Sequence, residues 1–154
     1  MSVFLADEQT EQVGLDELRA LAESVLRHEG YPEQAEVTIL LVSESEMASY
    51  NQKFLDRDGP TDVLAFPIEE LRPGRVPEHD RRGPPLMLGD VIVAPSYVRR
   101  QAVELGVTFD DEIALMVTHG ILHLLGYDHV EDDDAERMEA KERELLVEVG
   151  RSRR

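Results

Sequence analysis

The sequence predicts an α+β domain: a small four-stranded mixed sheet with helices packed on it. Three observations carry that expectation. Two apolar, β-branched runs, 36–42 and 88–94, read as buried strands. Elsewhere apolar residues recur at the i, i+3, i+7 spacing of amphipathic helices. Glycines and prolines between these segments divide the chain into the order β-α-β-α-β-β-α-α-α, which fits neither an all-parallel nor an all-helical design.

Each element has its own reason. Residues 2–6 read as a first strand, and Leu15, Leu18, Leu21, Ala22, Val25 and Leu26 mark one face of a helix that Gly30 ends. Glu36 to Val42 is the central strand. Ser43-Glu44-Ser45-Glu46 has the capping-box pattern and opens a second helix, with Met47, Tyr50 and Phe54 on one side. Asp58-Gly59-Pro60 breaks the chain before a third strand over 61–67, which Pro67 terminates or leaves at an edge. A long polar loop with four prolines fills 69–87 and leads to the fourth strand, so that strands three and four form a hairpin.

Pro95 suits the first turn of a helix that runs to Gly106. Thr108-Phe109-Asp110-Asp111 opens the next helix, with acids placed to complement its dipole. Ile113, Leu115, Met116 and Val117 make that helix apolar on most sides, hence central and buried. The last helix starts in Glu131–Asp134 and turns Ala135, Met138, Leu145 and Val149 inward. The expected domain spans 1–150, and 151–154 is a basic tail expected to be disordered.

At 154 residues the chain can bury a core without disulfides, and it has no cysteine. That removes thiolate metal sites and thiol nucleophiles and fits a reducing compartment. The first residues lack the basic start of a secretory signal, and no apolar run reaches membrane-spanning length. A cytoplasmic protein with no membrane partner is expected. The net charge of −17 argues against a general nucleic-acid binder. From Arg72 to Arg100, however, six arginines face three acids, so one region is locally basic.

Three of the five histidines fall in His119-Gly120-Ile121-Leu122-His123-Leu124-Leu125-Gly126-Tyr127-Asp128-His129, spaced H-x3-H-x5-H. On the central helix His119 and His123 are one turn apart on one face. Gly126 can end the helix in a left-handed conformation and let the chain fold His129 back. Three buried imidazoles without a metal would cost several desolvations. Three imidazoles leave a fourth position open, as catalytic zinc sites do, whereas structural zinc normally has four protein ligands. One zinc ion per chain is therefore expected, although imidazoles also suit nickel, copper or iron.

The spacing matches the metzincin proteases, H-E-x-x-H-x-x-G-x-x-H, except that the basic glutamate is replaced by Gly120. Peptide hydrolysis then lacks its general base. Asp128 is the nearest acid, a candidate for the base or for orienting a ligand imidazole. Asp62 and Asp90 each have a turn-forming or solvent-facing reading beside a functional one.

The block HGILHLLGYDH resembles the zinc motif of the YbeY family of bacterial endoribonucleases and rRNA maturation factors. Asn51 with Asp58-Gly59-Pro60-Thr61-Asp62-Val63-Leu64-Ala65-Phe66-Pro67 is similar to that family's N-x6-D-x-P-T-[DN]-V-L-[SA]-F-P pattern, and Leu88-Gly89-Asp90-Val91 to its L-G-D-I segment. The resemblance covers about residues 36–146. It implies zinc ligation by His119, His123 and His129, and a cytoplasmic endoribonuclease cutting single-stranded RNA near the 3′ end of small-subunit rRNA. The ribosomal small subunit or its proteins are the implied partners. Where some members carry an arginine after Phe54, this chain has Leu55, so RNA contact falls to Arg57, Arg99 or Arg100, with the loop from Arg72 to Arg82 beside the cleft. Two alternatives stand: a metal-dependent hydrolase of another substrate such as a peptide, and a zinc-stabilised ribosome assembly factor.

Overall fold

A computed structural model describes residues 2–154. The elements follow the predicted order: β1 Ser2–Asp7, α1 Leu15–His28, β2 Ala35–Leu41, α2 Glu44–Leu55, β3 Val63–Pro67, β4 Leu86–Val93, α3 Pro95–Leu105, α4 Phe109–Leu124 and α5 Asp132–Glu148. They build one mixed sheet in the order β1-β2-β4-β3. β1 and β4 both lie parallel to β2, while β3 runs antiparallel to β4 as the expected hairpin. Pro67 ends the edge strand, where a residue without an N–H costs no ladder hydrogen bond.

Helices α1 and α4 cover one face of the sheet, α5 packs on both helices, and together they enclose the main core, built from residues such as Leu26, Ile39, Leu88, Ile121 and Leu145. The second face holds a smaller cluster under α2: Val42, Met47, Leu64, Ile92 and Ala94. This inequality explains why β2 is not uniformly buried, as its apolar run had implied. Ala35, Val37, Ile39 and Leu41 point into the main core and are buried, whereas the alternate residues remain partly open.

Helix α4 lies closest to the sheet at Gly120. A Cβ there would stand 2.6 Å from Val91 Cγ1 and 3.3 Å from Val63 Cγ2. Glycine lets the helix seat directly on β3 and β4.

One open reading is decided and one expectation changes. Asp90 is exposed, so strand alternation turns it to solvent. The last four residues are not loose either. Gly150, at φ +75°, donates to the Val147 carbonyl and Arg151 N–H to the Leu146 carbonyl at 2.8 Å, which caps α5 and reverses the chain. Arg151, Arg153 and Arg154 then meet Asp111, Glu142 and Glu112 at 3.5, 3.0 and 2.8 Å. Paired carboxylates on α4 and α5, invisible in a local reading, hold the tail down.

Candidate metal centre

Thr108 caps α4, its side chain accepting from the Asp111 N–H at 3.1 Å, and Asp110, Asp111 and Glu112 fill the first turn. The apolar residues that follow are buried, which fixes the helix and therefore the two histidines in its last turns. Gly126 takes φ +99°, and a Cβ on it would strike the Leu71 carbonyl oxygen. Only glycine permits that reversal. Beyond it the chain returns His129 to the helix end.

The three rings converge. Their centroids are 4.5 Å apart for His119 and His123, 5.0 Å for His123 and His129, and 5.4 Å for His119 and His129. One nitrogen from each lies within 4.8 Å of the others. Glu142 Oε2 lies 2.8 Å from His119 Nδ1, and the Tyr127 carbonyl oxygen 3.0 Å from His123 Nδ1. Both partners only accept, so each Nδ1 carries a proton, and in the neutral ring each Nε2 then presents a lone pair. Those two Nε2 atoms face each other at 3.0 Å. Two ring nitrogens that close need a shared proton or a cation between them. The donor set fits a metal ion, with outer partners of the kind that orient metal-binding imidazoles.

Burial, and then the neighbouring His119 and His129, push the His123 pKa down to about 4, leaving it neutral at pH 7. Burial alone would raise Glu142, but hydrogen bonds and charge from His119 and Arg153 outweigh it and hold the carboxyl below its ordinary value. Glu142 is therefore an anion at 1 % exposure, placed against the His119 ring.

The histidines open onto a cavity of about 490 Å³ between α4, strand β3 and the chain's last residues. Asp62 lines it, with Oδ1 accepting from the Val63 N–H at 2.7 Å and Oδ2 from Gln101 Nε2 at 3.2 Å. Both of its readings thus meet in one carboxylate. Asp128 is exposed, and its Oδ1 accepts from the His129 N–H at 2.7 Å. It shapes the turn that presents His129 and does not line the cavity; the imidazole-orienting role expected of it is taken by Glu142 and the Tyr127 carbonyl.

The cations are placed differently from the sequence expectation. Leu55 lines the cavity, but Arg57, exposed two residues beyond it, does not. Arg100 pairs with Glu44 at 2.5 Å, away from the histidines. Arg99 pairs with Glu11 at 2.8 Å, stacks 4.0 Å over the Phe109 ring and lines a separate cavity of about 720 Å³ at the other end of α4. No arginine of the 72–82 segment lines the histidine cavity; Arg153 and Arg154 do. Sequence reading missed these two and Glu142. The signal for Glu142 was present: an acid interrupts the inward stripe of α5 between Met138 and Leu145.

Fold and site together define a small α+β protein with a three-histidine centre able to hold a metal and reach a substrate. The family model described as "Endoribonuclease YbeY" matches residues 4–150. The chain belongs to the YbeY family. Relatives described as "Endoribonuclease YbeY" include one from Acidothermus cellulolyticus, 47% identical over 96% of this chain and 90% of that protein. Another, from Thermobifida fusca, is 42% identical over 99% of this chain and 96% of that one. The solution structure of TM1509 from Thermotoga maritima is similar with a TM-score of 0.64 at 33% identity, covering 96% of this chain and 88% of that one.

Proposed function

We propose that this chain is a zinc-dependent endoribonuclease that cuts unpaired RNA in the cytoplasm, with small-subunit rRNA as its substrate and the ribosomal small subunit or its proteins as partners. The observation that carries the reading is the convergence of the His119 and His123 Nε2 atoms with His129 on an open cavity, in a chain of the YbeY family. His119, His123 and His129 would hold the zinc ion, which would supply Lewis acidity toward a phosphate oxygen and activate water.

The chain's own residues do the rest. Glu142 keeps the His119 proton on Nδ1, and the Tyr127 carbonyl does the same for His123, so both rings stay in the ligating tautomer. Strand β3 and Leu55 close the cavity on its apolar side. Asp128 holds the His129 turn by its backbone contact, and as an exposed acid beside a ligand it is the proposed proton acceptor. Arg57 lies on the surface two residues from Leu55 and is the proposed outer RNA contact, whereas Arg99 and Arg100 do not line the histidine cavity. That no described helix is long and apolar enough to cross a membrane accords with a cytoplasmic setting.

A peptidase reading is disfavoured by the packing at position 120. A glutamate base there would drive its Cβ into Val91. The test is to give zinc-loaded wild type and His123→Ala both an unpaired oligoribonucleotide and a peptide panel. Wild type is expected to cut the RNA alone and His123→Ala to cut neither. RNA cleavage at full rate by His123→Ala sinks the proposal.

A further inference from the structure

Among the described residues that line the histidine cavity, only Arg153 and Arg154 carry a positive charge at every working pH. The other charged side chains on its walls are the carboxylates Asp62 and Glu142, in a chain of net charge −17. Apart from a metal held by the histidines, a polyanion entering this cavity meets positive charge only at these two guanidinium groups. Their placement is built, not incidental. The Gly150 turn directs the chain back along α4, Arg153 Nε lies 3.0 Å from Glu142 Oε1, and Arg153 Nη1 donates to the Arg154 carbonyl at 2.6 Å. Arg154 Nε meets Glu112 Oε1 at 2.8 Å. Glu112 is itself 1 % exposed and held by Gln101 Nε2 at 2.7 Å.

We propose that Arg154 is the RNA-phosphate-binding residue of this site and Arg153 the positioning residue that sets it. The contact to Glu112 uses Nε. A guanidinium keeps a second planar edge of donors at its η nitrogens, the geometry that suits a phosphate. Glu112 precedes His119 by seven residues on α4, roughly 10 Å along the helix axis. The phosphate that Arg154 takes is therefore one flanking the bond at the histidines. Leu55, on the same cavity, supplies no charge, so Arg153 and Arg154 provide the grip.

This inference rests on the nuclease reading, and the experiment separates the two. Wild type, Arg154→Gln, Arg154→Lys and Arg151→Gln are loaded with zinc, checked for metal content and melting temperature, and assayed over a range of salt. The substrates are an unpaired oligoribonucleotide and a dinucleotide too short to reach Arg154. Arg151→Gln removes a charge from the same tail but not from the cavity. Arg154→Gln is expected to raise KM for the oligonucleotide about tenfold, one charge-assisted contact, with kcat unchanged. Its binding should also lose about 0.7 from the slope of log affinity against log salt. Arg154→Lys, which also serves if the glutamine variant is unstable, keeps the slope and part of the affinity. Arg151→Gln matches wild type, and all four cut the dinucleotide alike. Wild-type KM and salt slope in Arg154→Gln, or a loss confined to kcat or metal content, overturns the inference and leaves the nuclease reading standing. A wild type that cuts no RNA overturns both.

Discussion

Glu142 offers the sharpest test of how the centre is held. Its Oε2 accepts from His119 Nδ1 at 2.8 Å and its Oε1 from Arg153 Nε at 3.0 Å, so both oxygens face donors. Glu142→Gln preserves the shape and replaces one acceptor by an NH₂ group. Whichever way the amide turns, one donor then confronts another donor. If Arg153 loses its partner, Glu139 at 3.7 Å compensates in part; if His119 does, its ring is free to change tautomer. A hydrogen bond to a charged group lost at this depth costs about 2 kcal/mol. For a protein of this size that lowers Tm by roughly 4–8 °C. Loss of an outer partner of a metal-binding histidine typically weakens metal affinity by about 10–100-fold. Competition against a chromophoric chelator measures the affinity and calorimetry the stability, with exposed Glu136→Gln as the control. If Glu142→Gln binds zinc within about twofold of wild type, the tautomer argument is refuted, whatever happens to Tm.

Other outcomes follow from the same geometry. Gly120→Ala forces a Cβ to 2.6 Å from Val91 and should destabilise by about 1–3 kcal/mol, read by urea denaturation. Adding Val91→Ala should recover much of that loss, and failure to do so refutes the packing account. Chelating the metal should lower Tm by roughly 5–15 °C, the linkage expected when free ion exceeds the dissociation constant 100- to 1,000-fold. Metal-free protein should lose stability as pH falls from about 6.5 to about 4. Over that window His123 titrates in the unfolded chain but is held neutral in the fold, so the unfolded state binds more protons. Melting scans of apo wild type and apo His123→Gln check it: the variant's profile should be flatter.

The order of elements, the hairpin and the convergence of three histidines were all legible, because each follows from local periodicity, breakers or spacing. Gly126 is the plainest case: its position just past an apolar helix foretold the positive φ that returns His129. What was not legible depends on contacts distant in sequence. Arg153 and Arg154 look like a loose basic end until Glu142 and Glu112 are seen beside them, 11 and 42 residues away. Asp128 looked like the natural partner for a ligand because it is adjacent in sequence, yet its carboxylate turns to the backbone. Glu142, a helix away, does that work. Arg99 and Arg100 read as free cations, and each proves to be neutralised by an acid from a distant segment.

The turn at Gly150 bears on how the protein is handled. Because it sends the last residues back toward the histidine cavity, anything fused after Arg154 emerges at the mouth of the metal centre. A polyhistidine tag there would place extra imidazoles within reach of the ion and report a metal stoichiometry that belongs to the tag. A tag at the start of the chain leaves from β1, the opposite edge of the sheet from β3. For this fold the choice of terminus is part of the metal measurement itself.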